Sequence, residues 1–149
     1  MKIGHVHLKV RHIGRSEDFY LNVLGAQRTE DLGEQYSFLS MGEAHHEIAL
    51  QQIGDSAGSP SSGSVGLYHT AFEVADGAEL LRAIERLEER RIDYALVDHG
   101  ISWAVYTADP DGNGVELFLD RRGAPSGRKL WAGLSRTLSK KEIQMSLSS

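Results

Sequence analysis

The spacing of hydrophobic and polar positions changes several times in the first third of the chain and predicts its elements. Residues 5–10, "HVHLKV", alternate between apolar and polar side chains, which is typical of a strand with one buried face. Apolar residues then recur at helical spacing over residues 19–24, between Ser16 as a candidate N-cap and Gly25 as a candidate C-cap. Further short strands are predicted near residues 26–30, 36–41 and 46–53.

The same order returns later in the chain. Residues 67–74, "LYHTAFEV", again read as a strand. Asp76 is a good N-cap for a following helix, and Glu79 stands three residues on, as in a capping box. An apolar stripe over residues 80–87 predicts the buried face of that helix. Three more strands are predicted at residues 92–98, 102–108 and 114–120.

A Gly/Ser-rich segment, residues 54–64, separates these two halves and reads as a linker. The repeated order predicts an α+β fold of two βαβββ modules, residues 1–53 and 65–120. Side by side, they would form one domain over residues 1–120, a half-open barrel of eight strands. Its concave face would suit a small-molecule site.

Composition narrows the class of protein. The chain has 149 residues, of which 40% are hydrophobic and 25% charged, as in an ordinary globular domain. It has no cysteine, which excludes disulfides, thiolate nucleophiles and thiolate metal ligands. We see no apolar run long enough to span a membrane and no signal peptide, so the expected location is the cytoplasm. A net charge of −5 argues against a nucleic-acid partner.

The charge is unevenly distributed along the chain. Residues 1–120 carry nine basic and twenty acidic side chains, whereas residues 121–149 carry seven basic and one acidic. This basic tail could dock on its own domain, dock on a partner subunit, or remain a partly mobile terminus.

Two histidines and one glutamate are the first candidates for chemistry. His5 and His69 lie on the opening strands of the two halves, at corresponding positions, and Glu116 lies on the last strand of the second half. Taken singly, each is more typical of a core or solvated position than of a metal ligand. If the two halves pair symmetrically, two imidazoles and one carboxylate converge. That donor set is the facial triad of non-haem Fe(II) oxygenases.

The turn "DPDGN" places a further side chain beside Glu116. Folding the flanking strands about Asp111 sets Tyr106 opposite Glu116, on the same face of the sheet. The pair could serve the site, or it could be an ordinary cross-strand pair; a slip of one residue would separate the two side chains.

These residues resemble a known family. The segments "GHVHLKV…SEDFYLNVLG", "GLYHTAFEV" and "DPDGNGVELF" are similar to the two module openings and the closing hairpin of the vicinal oxygen chelate superfamily. This superfamily includes glyoxalase I, bleomycin-resistance proteins and type I extradiol dioxygenases. The resemblance covers about residues 2–120. Within it, "YHTAFEV", "DHGIS" and "YTADPDGNGVELFLDR" are most similar to single-domain enzymes of the catechol 2,3-dioxygenase type.

The resemblance implies roles for particular residues. His5, His69 and Glu116 match the family's metal ligands. Tyr106, ten residues before the glutamate, matches its active-site tyrosine, and His99 in "HGIS" matches its acid–base histidine. The implied reaction is extradiol cleavage of a catechol-type aromatic diol with O2. Fe(II) is the implied metal, Mn(II) suits the same ligands, and a homodimer is expected.

Departures from the family pattern keep alternatives open. His7 is a rival to His5 as the first ligand, and His45 and His46 could line the pocket. Isomerases of the glyoxalase I type use a fourth ligand, a glutamate whose place is taken here by Ala49, although Glu47 is two residues away. The alternatives are such an isomerase, with Zn, Ni or Co, and a metal-free small-molecule binding protein of the bleomycin-resistance type.

Overall fold

The computed structural model describes residues 2–61 and 63–147. Residue 1 of the predicted first module, residue 62 of the predicted linker and residues 148–149 of the predicted tail lie outside the described residues. By its internal contacts the chain divides into two compact units. The first unit holds Met1–Tyr68 and Asp109–Asn113, and the second holds His69–Ala108 and Gly114–Ser149.

The first unit is a four-stranded sheet with one helical segment. The elements are β1 (Val6–Val10), α1 (Ile13–Phe19), β2 (Gln27–Asp31), β3 (Tyr36–Ser40) and β4 (Ile48–Gln52). The strand order is β1-β4-β3-β2, with β1 and β4 parallel and the other pairs antiparallel. A π-helical turn, Tyr20–Leu24, continues the helix and ends at Gly25 with a φ of 81°, so Gly25 is confirmed as the C-cap.

The predicted N-cap of α1 is wrong. The helix begins at Ile13, with His12 in extended conformation as its N-cap, and Ser16 is a fully buried residue inside the helix. The side-chain oxygen of Gln52 accepts a hydrogen bond from the Ile13 N–H at 2.9 Å. That contact satisfies one of the free N–H groups that a helix terminus leaves, so the helix starts earlier than its local sequence indicates.

The "DPDGN" turn belongs to the first unit. The Asp109 carboxylate accepts backbone hydrogen bonds from Asp111 and Asn113, both at 2.9 Å, which folds the turn on itself. The buried Tyr20 hydroxyl donates to Asp109 Oδ2 at 3.2 Å, and Arg11 pairs with Asp111 at 3.0 Å. The turn is therefore fixed by its own backbone and by two side chains of the first unit.

The second unit is a five-stranded sheet covered by helices. The elements are β5 (Thr70–Glu73), α2 (Gly77–Glu89), β6 (Ala95–Asp98), β7 (Ser102–Ala108), β8 (Gly114–Asp120), β9 (Arg136–Thr137) and α3 (Lys140–Ser146). The strand order is β5-β8-β7-β6-β9, with β5 and β8 parallel and the other pairs antiparallel.

The amphipathic pattern of the second half sets the position of α2. The Asp76 side chain accepts from the Glu79 N–H at 2.7 Å, which confirms Asp76 as the N-cap. Glu79 returns a bond to the N–H of Ala75 rather than to that of Asp76. The predicted stripe is buried, with Leu80, Ile84 and Leu87 each fully covered.

The basic tail is part of the second unit and packs against its sheet and its helix. Its strand β9 pairs with β6, and its helix α3 contacts α2 and buries Ile143. A capping box formed by Ser139 and Glu142 begins α3. The α+β class and the order of strand, helix and three strands in each half are confirmed. The two sheets hold four and five strands rather than eight in all, because the tail adds β9.

Among the described residues, no helix combines the length and the apolar character that a membrane span requires.

Candidate active site

His5 and His69 occupy equivalent places in their two units. Each immediately precedes the first strand of its unit, and each first strand runs parallel to the last strand of the repeat. Two residues after His69, Ala71 pairs with Glu116; two residues after His5, His7 pairs with Ala49. Ala49 is therefore the positional counterpart of Glu116 in the first unit.

In the second unit, a carboxylate and an imidazole meet directly. Glu116 is 8% exposed, and its Oε2 lies 2.8 Å from His69 Nε2. A carboxylate this deeply covered needs a cation or hydrogen-bond donors. The two atoms are also the ones through which these side chains bind metals.

Tyr106 and His99 extend this contact. The predicted pairing of Tyr106 with Glu116 is confirmed, and the Tyr106 hydroxyl donates to Glu116 Oε1 at 3.0 Å. On its other side the Tyr106 oxygen lies 2.9 Å from His99 Nε2. His69, Glu116, Tyr106 and His99 therefore form one continuous row of hydrogen-bonded side chains.

The tail supplies the far end of the row, which the sequence analysis missed. Ser135 Oγ lies 2.7 Å from His99 Nδ1, and the Trp131 indole N–H donates to the same oxygen at 3.2 Å. The Trp131 ring also stands edge-on to the His99 ring, 5.9 Å between centroids. Ser135 follows His99 by 36 residues, in a tail without a regular pattern.

The donors along this row determine where the protons lie. Trp131 can only donate, so the Ser135 hydroxyl is free to donate to His99 Nδ1. The single proton of Tyr106 points to Glu116, so the Tyr106 oxygen accepts from His99 Nε2–H. A proton on His99 Nε2 therefore satisfies the contact with Tyr106, and the contact with Ser135 holds the ring in position.

A cavity of about 260 Å³ lies beside Glu116 in the second unit. Phe118 provides an apolar surface, and an ion pair of Asp120 and Arg122, 2.7 Å apart, stands in its wall. The Arg122 guanidinium lowers the pKa of Asp120 to about 2. Space next to the buried carboxylate is therefore available to a small molecule.

The other histidines lie in the first unit. His5 packs against the ring of His46 at 4.6 Å between centroids, and His45 Nδ1 lies 2.8 Å from His46 Nδ1. Burial, followed by the neighbouring imidazoles of His5 and His45, lowers the pKa of His46. His7 stands edge-on to Tyr36.

Glu47 is engaged within its own unit. Its Oε2 accepts from the Met41 N–H at 2.7 Å and from the Ser40 hydroxyl at 3.1 Å. These bonds hold the carboxylate to the β3–β4 connection, and its neighbour Ala49 carries no ligand atom. The first unit therefore shows no carboxylate at the position that matches Glu116.

Across the part of the chain that the structure describes, no three His, Asp or Glu side chains stand together as a ready metal cluster. The structure brings together His69, Glu116, Tyr106 and His99, while His5 belongs to the other unit. The donor chemistry nonetheless suits a divalent transition metal, since imidazole and carboxylate are ligands that Fe(II) accepts. His69 Nε2 and Glu116 Oε2, 2.8 Å apart, fit such an ion as neighbouring ligands.

Comparison with known proteins defines the class. The family model described as Glyoxalase/Bleomycin resistance protein/Dioxygenase superfamily matches residues 2–117, and the chain belongs to this superfamily. Solved structures agree on the fold. A glyoxalase/bleomycin resistance protein/dioxygenase domain from Frankia sp. EAN1pec has a TM-score of 0.68 at 22% identity, covering 83% of this chain and 94% of that one.

The curated relatives narrow the similarity to particular kinds of enzyme. The chain is 36% identical to a catechol-2,3-dioxygenase of Bacillus subtilis over 80% of its length and 41% of that protein. It is 31% identical to a biphenyl-2,3-diol 1,2-dioxygenase of Rhodococcus globerulus, over 83% of this chain and 65% of that protein. It is 28% identical to a lactoylglutathione lyase of Neisseria meningitidis, over 85% of this chain and 96% of that protein. The chain thus spans between two fifths and two thirds of the dioxygenases that it resembles.

Proposed function

We propose that this protein is a metal-dependent extradiol dioxygenase that cleaves the ring of a catechol-type substrate with O2. The observation that carries the proposal is the row His69–Glu116–Tyr106–His99, which joins two candidate ligands to two candidate catalytic side chains by contacts of 2.8 to 3.0 Å. Similarity to dioxygenases at 31% and 36% identity supports it.

His69, Glu116 and, from the first unit, His5 would hold the metal. When bound, Fe(II) supplies Lewis acidity and a template for the two vicinal oxygens of the diol. To hold a metal through Nε2, His69 would carry its proton on Nδ1, and Glu116 would be ionised.

Tyr106 and His99 would handle protons. With Glu116 holding a metal, the Tyr106 hydroxyl would be free to donate to an oxygen of the substrate. His99, whose Nε2–H donates to that phenol over 2.9 Å, would act as a general acid: it can pass this proton through Tyr106 to the substrate while its Nδ1 takes up another, as an imidazole does near neutral pH. Ser135 and Trp131 hold His99 at this distance.

The cavity beside Glu116 is consistent with a small aromatic diol. Its volume of about 260 Å³ exceeds that of a single ring, and Phe118 offers an apolar surface for one face of the ring. The Asp120–Arg122 pair would meet polar substituents. The product of extradiol cleavage carries an aldehyde or ketone and a carboxylate.

The test is anaerobic loading with Fe(II), followed by a panel of catechols in air, with oxygen uptake and the yellow ring-opened product as readouts. We expect turnover by the parent protein and none by Glu116→Gln, which keeps the size of the side chain but removes the charge. His99→Gln should retain bound iron but lower kcat by about 100-fold or more, the usual contribution of a general acid–base group.

The matched control is Glu85→Gln, on the exposed face of α2. It should keep both iron and activity. If the protein holds iron stoichiometrically yet consumes no oxygen with any catechol, the dioxygenase proposal is wrong. If His99→Gln is as active as the parent, the role given to His99 is wrong even though the reaction stands.

A second candidate is a metal-dependent isomerase of the glyoxalase I type. It is favoured by one observation, that the lactoylglutathione lyase matches over 96% of its own length. The site supports the isomerase less well. Ala49 occupies the position in the first unit that Glu116 occupies in the second, so a fourth ligand is missing there. The Glu47 carboxylate accepts a hydrogen bond from the Met41 backbone N–H.

The two candidates separate on metal and substrate. If the protein is an isomerase, it should form lactoylglutathione when loaded with Ni(II) or Zn(II) and should take up no oxygen. The dioxygenase requires Fe(II) or Mn(II) and O2. Parallel assays on one preparation, divided before loading, therefore decide between them.

A further inference from the structure

A second cavity lies on the opposite face of the sheet of the second unit. It has a volume of about 320 Å³, and its wall includes Trp103, three arginines and part of the tail. Trp103 stands three residues before Tyr106 on β7, so the alternation of the strand directs the two side chains to opposite faces. The cavity therefore shares no wall residue with the space beside Glu116, although Ser135, which contacts His99, lies in its wall.

The three arginines of this cavity are Arg121, Arg128 and Arg136. Arg136 is neutralised, since it pairs with Asp98 and Glu142 at 2.7 Å each. Among the described residues, neither Arg121 nor Arg128 forms an ion pair. The cavity thus holds two positive charges that have no carboxylate partner.

Other contacts position these two charges. The Arg121 guanidinium lies 4.0 Å above the Trp103 ring and donates to Ser126 Oγ at 3.0 Å. The Arg128 backbone N–H donates to the Gly100 carbonyl at 2.8 Å, which places its side chain at the cavity wall. A cation–π contact and a single hydroxyl leave the remaining guanidinium donors of Arg121 free to bind an acceptor.

Two glycines make this arrangement possible. A β-carbon at Gly100, whose φ is 77°, would meet the Arg128 side chain at 2.7 Å. A β-carbon at Gly127 would lie 1.5 Å from the Arg121 carbonyl oxygen. The close approach of the tail to Arg121 therefore depends on the absence of a side chain at position 127.

We propose that Arg121 and Arg128 form a binding site for a small organic anion, in which a carboxylate or phosphate group meets the two guanidinium groups and an apolar body lies against Trp103 and Leu134. The planar guanidinium fork matches both kinds of oxyanion. A volume of about 320 Å³ exceeds the need of an inorganic ion and lies at the small end of ligand pockets.

The proposal can be tested without any enzymatic assay. Trp103 and Trp131 are the two tryptophans, so Trp131→Phe leaves Trp103 as the only indole fluorophore. In that background, titration with benzoate, phenyl phosphate and inorganic phosphate at constant ionic strength should change the fluorescence saturably, since Arg121 lies on the Trp103 ring. Calorimetry on the same titrations gives affinities that do not depend on the optical signal.

Arg128→Gln should weaken binding of the preferred anion about tenfold or more, as expected from removing a charged hydrogen-bond donor. Arg82→Gln, which removes an equal charge from the exposed face of α2, should leave the affinity unchanged. Tighter binding of benzoate than of phenyl phosphate would assign the site to carboxylates, and the reverse order to phosphate esters. No saturable binding of any of the three anions in the calorimeter, or equal affinities in the parent and Arg128→Gln, would overturn the proposal.

Discussion

The contact between Tyr20 and Asp109 gives the sharpest stability prediction. Both side chains are buried, with 1% and 4% exposure, and a single hydrogen bond of 3.2 Å joins them. Asp109 also accepts from the backbone of Asp111 and Asn113 and from the Asn113 amide. The perturbations are Tyr20→Phe, Asp109→Ala and the double variant.

The expected magnitudes follow from what each change leaves behind. Tyr20→Phe removes one long hydrogen bond and leaves Asp109 with three other donors, so it should cost about 1 kcal/mol. Asp109→Ala leaves a buried hydroxyl without an acceptor and releases the turn, so it should cost about 3 kcal/mol. In the Asp109→Ala background the Tyr20 hydroxyl has lost its acceptor, and its removal should be neutral or stabilising. The coupling energy is therefore about 1 kcal/mol or more.

The assay is urea unfolding of all four proteins, followed by circular dichroism. With a slope of about 2 kcal/mol per molar urea, Asp109→Ala should lower the midpoint by about 1.5 M and Tyr20→Phe by about 0.5 M. Additive effects, with a coupling near zero, would refute the reasoning, because they would mean that the hydroxyl and the carboxylate act independently.

Three other predictions concern the tail and pH. Gly127→Ala should speed limited proteolysis of the tail, because the added β-carbon would meet the Arg121 carbonyl oxygen. Gly123→Ala is the control, since its added β-carbon would have no other atom within 4 Å. Equal cleavage rates in the two variants would contradict this prediction. Ser139→Ala should cost about 1 kcal/mol through loss of the α3 cap, measured by thermal unfolding, and no loss would contradict the capping role. Burial, followed by the charge of Asp109, raises the pKa of Tyr20 above its ordinary value of 10.0, so the stability that the neutral phenol contributes is full below about pH 10 and declines above it. The free energy of unfolding of Tyr20→Phe should therefore fall less steeply than that of the parent as the pH rises above 10. Identical pH profiles of the two proteins would exclude this cause.

Local patterns predicted the parts of the site that depend on strand register. Folding about the short "DPDGN" turn predicted that Tyr106 faces Glu116, with a slip of one residue as the alternative, and the structure confirms the pairing. The helix stripe over residues 80–87 and the N-cap Asp76 were predictable for the same reason, since both rest on neighbours in sequence.

Contacts between distant residues were not predictable in this way. The start of α1 depends on Gln52, which lies 39 residues beyond Ile13, so the local signal at Ser16 was misleading. The support of His99 comes from Ser135, in a tail whose strand β9 has only two residues and no hydrophobic alternation to indicate it. Such contacts are set by packing, which single-sequence periodicity does not record.

The contact between Ser135 and His99 means that the end of the family match is not the end of the candidate site. The family match ends at residue 117, yet the hydroxyl that contacts the imidazole of His99 belongs to Ser135, which in turn accepts a hydrogen bond from Trp131. A change confined to this extension would remove a contact that holds the His99 ring and leave every residue of the shared domain intact. Relatives with the same candidate ligands and the same histidine can therefore differ in how that histidine is held, because of a segment that a family description does not include.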